Sequence, residues 1–178
     1  MLSLYLILLL AFTPGEKEPP VKFLCEYQLD ERPFTETDHH MQGIWKLKED
    51  TNANNYFVVE RDGSYRLNIT YMNRGGDNRG LEHTTAFFSE IDGVKFLNAP
   101  YSSFIGEPSF RGTVLLRVDE VGEPRCWNVT FTLVTDPNLY KMKSSAELRT
   151  YIRQHLKDPA IYGKQLHFRK KFEFNSFR

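Results

Sequence analysis

From Gly43 onward, apolar and polar residues alternate with a period of two, in short runs broken by turn residues at intervals of roughly ten. No other feature restricts this chain as much, because successive strand residues point to opposite faces and each run therefore has one dry and one wet side. Tyr65, Leu67, Ile69 and Tyr71 alternate with Arg66, Asn68 and Thr70. Trp127, Val129, Phe131 and Leu133 do the same against Asn128, Thr130 and Thr132. Asp62-Gly63 separates Phe57–Glu60 from the Tyr65 run, and Asp92-Gly93 separates Ala86–Ile91 from Val94–Leu97. Both pairs tolerate the positive φ of tight hairpins. With Ile44–Leu47 and Val114–Val118 there are seven candidate strands before residue 135.

The period then changes. Ser144-Ser145-Ala146-Glu147 is a capping box, and Leu148, Tyr151, Ile152 and Leu156 follow at helical spacing, which predicts an amphipathic helix from about Ala146 to Lys157. Asp158-Pro159 stops it. A last alternating run has Leu166, Phe168, Phe172 and Phe174 on one face and His167, Arg169, Lys171 and Glu173 on the other. Lys170 shares the phase of the phenylalanines, and the expectation is that the strand has left the sheet by then, with Lys170-Lys171 in solvent.

The order of elements, Gly43-Ile44-Trp45 on a first strand, then a meander, one helix and a closing strand, resembles the lipocalin-like (calycin) β-barrels. It is most similar to uncharacterised members that bacteria export to their envelope. The resemblance runs from about Gln42 to Phe174, with Thr135-Asp136 as a counterpart of the family's Thr-Asp loop and Arg169 on the last strand. It implies that Gly43, Trp45 and Arg169 close one end of the barrel, with the basic side chain across the indole. Physics favours closure independently. A long meander must close or protect its edges, and one helix cannot cover two of them. The expected fold is thus mainly β, an antiparallel up-and-down barrel with one amphipathic helix before the last strand.

Leu2–Phe12 is an uncharged apolar run, short for a membrane span and suited to a signal-peptide core, with Thr13-Pro14-Gly15 before a cleavage point. The expected organisation is a signal peptide over 1–15, an extended segment over 16–41 and one barrel domain over 42–178. The expected location is outside the cytoplasm: periplasm, cell envelope or extracellular. Cys25 and Cys126 are either joined in one large loop, as export allows, or two separate buried thiols.

Twenty-three basic residues balance twenty-three acidic ones, so nothing in the overall field recommends nucleic acid or an anionic membrane. Fourteen Phe and nine Tyr suit either a filled interior or an apolar guest. The Asn73–Gly80 loop, with Arg74 and Arg79, continues into Glu82 and His83; these four are the candidate contacts at a barrel rim. The loop lacks the Lys-Ser/Thr of a phosphate loop. Asp38-His39-His40 does not have metal-ligand spacing and reads as an exposed loop, and the serines have no nucleophile elbow. Asn68 and Asn128 stand in glycosylation triplets on wet faces. The expected function is binding of a small apolar or amphipathic molecule inside the barrel, without catalysis, cofactor or metal. The competing expectation is an envelope protein-interaction or assembly module with a filled barrel.

Overall fold

A computed structural model describes residues 25–33, 35–37, 39–51, 55–73, 82–102, 111–122 and 127–172. Eight strands, β1 (Gly43–Leu47), β2 (Asn55–Asp62), β3 (Arg66–Asn73), β4 (Glu82–Ile91), β5 (Val94–Ser102), β6 (Arg111–Val121), β7 (Asn128–Val134) and β8 (Tyr162–Phe172), follow one another in the chain. Each pairs antiparallel with the next, and β8 returns to β1 to close the barrel. The helix α1 (Ser145–Gln154) lies between β7 and β8. This is the architecture expected from the alternation. Val129, Phe131 and Leu133 pair with β6 and β8 residues of the same inward phase, and they join Trp45, Leu47, Phe57, Leu67 and Tyr71 in one interior cluster.

The hairpins follow their turn residues with one difference. Asp92 (φ 50°) and Gly93 (φ 83°) both have positive φ, as a two-residue turn requires. The β2–β3 connection instead has three residues, Gly63 to Tyr65, because Asp62 pairs with Arg66. Only Gly63 (φ 69°) is left-handed there. Tyr65, expected to start the inward face of β3, therefore stands in the turn and is exposed.

A second core lies outside the barrel wall. Leu148 and Ile152 of α1 pack with Cys25, Leu29, Ile91, Phe96, Leu115, Val134, Leu139 and Ile161. Period two explains this layer, since Phe96, Leu115 and Val134 are the outward residues next to inward Leu97, Leu116 and Leu133. Ser144 caps α1 by accepting from the Glu147 amide at 3.1 Å, and Glu147 accepts from the Lys143 amide at 3.0 Å. The helix is shorter at its C-terminal end than its periodicity predicts, ending at Gln154 with His155 as its cap.

The N-terminal residues form a strap beside α1. Cys25 exchanges both backbone hydrogen bonds with Thr113, and Thr35 makes an isolated bridge to Phe88. Asn98, fully buried, accepts from the Leu29 amide at 2.8 Å and donates to Ser89 Oγ and the Phe87 carbonyl. A polar group at that depth is tolerable because its hydrogen-bonding capacity is used. Arg149 of α1 ties the two together through Asp30 at 2.7 Å and the Glu90 carbonyl.

The outer face of β7 is drier than its sequence predicts. Thr130 and Thr132 are buried, their hydroxyls engaged by His167 at 3.2 Å and by Asp119. Asn128 is exposed and Asn68 half-buried, accepting from Thr85 at 3.0 Å.

Where β8 leaves the α1 segment, a Cβ on Gly163 would meet Thr135 Cγ2 at 2.6 Å. The β-branched threonine has little rotamer freedom with which to yield. Gly163→Ala is expected to lower the unfolding free energy by about 1–3 kcal/mol in denaturant titrations, whereas Gly122→Ala, whose nearest contact is 3.3 Å, is expected to lose less.

Candidate functional site

One end of the barrel is sealed from within. The 3-10 turn His39–Met41 leads into β1, and the Trp45 indole Nε1 donates to the Met41 carbonyl at 2.9 Å, which fixes the ring across the base. The cation on this ring is Lys170. Its Nζ lies 5.0 Å from the ring centroid and donates to the His40 carbonyl. Lys170 is only 2% exposed, so strand β8 has not left the barrel at this point, contrary to the expectation of a solvated lysine pair. A buried ammonium needs such partners, a carbonyl and a π face, to offset lost hydration.

The resemblance assigned this position to Arg169. That residue is exposed and paired with Lys46 and Asn128 on the outer face. Lys170 keeps the inward phase of Leu166 and Phe168, with Leu47 facing Phe168, Lys46 facing Arg169 and Trp45 facing Lys170; the register shifts only beyond it, where Ile44 faces Phe172 and Lys171 is the extra residue. The shift also moves Phe172 off the apolar face predicted for it, leaving it 66% exposed. Phe174 lies outside the described residues.

Above the seal, rings cross the lumen in contact. Tyr71 and Phe57 are 5.3 Å apart, Phe57 and Phe168 5.5 Å, and Phe168 and Phe131 5.8 Å. Several lumen side chains nevertheless keep some accessible surface. Phe168 keeps 8% of its surface accessible, Val59 7%, and Phe57, Phe88 and Phe131 6% each, while Phe96, Leu115, Leu148 and Ile152 keep none. Ile69 and Val118 are only partly buried against the same cluster. These residues, from β2, β3, β4, β6, β7 and β8, form an incompletely buried apolar girdle around the interior cluster. Toward the opposite end, Leu47, Val114, Leu133 and Leu166 are again fully packed.

At that same end Asn55 faces inward, two residues from Phe57 on one strand face. Its Nδ2 donates to Asp50 Oδ2 at 2.9 Å. Of the four proposed rim residues, only the His83 side chain is described. His83 pairs with Thr70 across β3 and β4, opposite in phase to Ile69 and Thr84, and its Nδ1 is 3.2 Å from the Thr70 hydroxyl on the outer wall. Glu82 begins β4 in register with Tyr71. Arg74 and Arg79 lie outside the described residues.

The remaining titratable groups with shifted pKa sit on the outer wall. Burial, then a hydrogen bond to Asp136, pushes the Tyr151 phenol up. Asp136, singled out with Thr135 by the resemblance, also accepts from the Asn138 amide at 2.7 Å, so it anchors the approach to α1. Burial likewise raises Tyr162, opposed by Arg117, whose guanidinium lies 3.9 Å above its ring. His155 stacks on Tyr151 at 4.3 Å, and His167 lies 3.8 Å from Glu49. Among the described residues no three His, Cys, Asp or Glu side chains gather to hold a metal ion.

Cys25 is a free, buried thiol whose pKa is raised by that burial. Cys126 lies outside the described residues. Its chain neighbour Trp127 adjoins the far end of β6 from the Cys25–Thr113 bridge, eight residues away or about 26 Å at the rise of a strand. A disulfide tolerates a Cα separation of about 7 Å at most. Two thiols are therefore expected on titrating the unreduced, unfolded protein, with Cys25 reacting only after unfolding.

Lys170 could have been found by trusting its strand phase, and Asn55 by stepping back two residues from Phe57. Trp45→Ala is expected to cost about 3–5 kcal/mol of stability. Arg169→Ala, on the outer wall, is expected to stay within about 0.5 kcal/mol, and calorimetry of the two variants checks the assignment. Comparisons with protein-family models, with curated proteins and with solved structures find no match; the closed eight-stranded antiparallel barrel is consistent with a lipocalin-like fold.

Proposed function

We propose that this chain is an exported binding protein of the lipocalin-like kind, of bacterial-envelope type, which holds a small apolar or amphipathic molecule in its lumen. The observation that carries this reading is the girdle of accessible apolar surface on Phe57, Val59, Ile69, Phe88, Val118, Phe131 and Phe168. Water in contact with such a wall gains few hydrogen bonds, so an apolar guest displaces it favourably, by about 25 cal/mol per Å² of surface covered. Trp45 and Lys170 seal the base, which leaves the opposite end as the route of access. The envelope location draws on the apolar run at Leu2–Phe12 and on the resemblance of the strand order.

One observation favours the other reading, an interaction or assembly module. Val121, Trp127 and Phe172, large and exposed, all stand at the sealed end of the barrel, where three consecutive strands terminate.

Native mass spectrometry of protein recovered from the cells that make it separates the two. A lumen carrier is expected to show added mass that disappears on unfolding, and Val118→Trp, which fills the girdle, is expected to abolish it. Protein that arrives unliganded, or as a complex that Val118→Trp leaves intact, decides for the module.

A further inference from the structure

The lumen carries information about the head group of its guest, on the reading that a guest binds there at all. Asn55 is 7% exposed, and its phase places it two residues beyond Phe57, on the side of the girdle away from the Trp45 seal. The orientation of its amide is dictated by Asp50. A carboxylate only accepts hydrogen bonds, so the Nδ2 side must face Asp50 Oδ2, as it does at 2.9 Å. The carbonyl oxygen Oδ1 is then turned away, buried, and has no hydrogen-bond donor. A buried acceptor without a donor is unfavourable, and native structures nearly always supply one from protein, water or ligand.

We propose that the guest is an apolar molecule bearing a hydrogen-bond donor, a hydroxyl or an amine, with its body in the girdle and its donor on Asn55 Oδ1. The geometry discriminates among head groups. A hydroxyl or ammonium satisfies Oδ1, whereas a carboxylate offers it no proton. An ether or a hydrocarbon of equal size covers the same apolar wall but leaves Oδ1 unsatisfied.

The experiment uses two isomers of equal size, 1-nonanol and 1-methoxyoctane, titrated calorimetrically into the full chain. The alcohol is expected to bind about threefold to tenfold more tightly than the ether, the range of one net hydrogen bond. Asn55→Leu, close in shape and without an acceptor, is expected to bind both and to remove the difference. Equal affinities in the wild-type protein, or a preference that persists in Asn55→Leu, would overturn the head-group assignment while leaving the lumen as an apolar site. Failure of both isomers to bind the wild-type protein would instead overturn the lumen reading itself. The wild-type comparison stands even where the variant fails to fold.

Discussion

The hydrogen-bonded seam between β8 and β1 is the constraint on which the rest of this molecule depends. Without it the meander would present two open edges, each a template for pairing with another chain. With it, the inward residues of eight strands face one another across a single lumen, and the outward residues of β4 to β7 become a surface for α1 and the N-terminal strap. The seam joins residues 44–47 to residues 168–172, nearly the whole length of the chain apart. Such a non-local contact carries a large loop-closure entropy, recovered only once the intervening strands are paired.

The seam is also where the barrel acquires its polar base. Lys170 faces inward in the unbroken alternation of β8, and the extra residue Lys171 beyond it turns Phe172 outward. The inward ammonium meets the Trp45 ring and the His40 carbonyl. A buried cation held by a π face and a carbonyl adds little net stability compared with an apolar residue of the same shape. Its effect is to fix which residue of β8 faces which residue of β1, and so the register of the seam.

Two cores follow from this arrangement. The outer core is assembled from a helix, a strap and one sheet face, elements free to approach until every void is gone. The lumen has its diameter set by strand number and stagger, so its side chains fill it only as well as their volumes allow. Phe57, Phe88, Phe131 and Phe168 of the lumen keep 6–8% of their surface, while Phe96 of the outer core keeps none.

Alternation along each strand, the Asp-Gly hairpin at residues 92–93 and the Ser144 cap were legible in the sequence because each depends on neighbours a few residues away. The sequence by itself therefore determined the strands, their order, the helix and the need for closure. It could not determine what period two leaves open: whether β8 carries an extra residue, which outward threonines of β7 are covered, or which way an asparagine amide turns. Strand phase already set Lys170 rather than Arg169 on the inward side, but only pairing with Trp45 shows that β8 is still in the barrel at that point. His83 joined the candidate rim by its place near a glycine-rich loop, but pairing with Thr70 puts it on the outer wall. Asn55 carries no motif at all. Its meaning arises when Asp50 takes one side of the amide and the barrel encloses the other, a condition set by tertiary structure because both partners and burial come from closure rather than from local sequence.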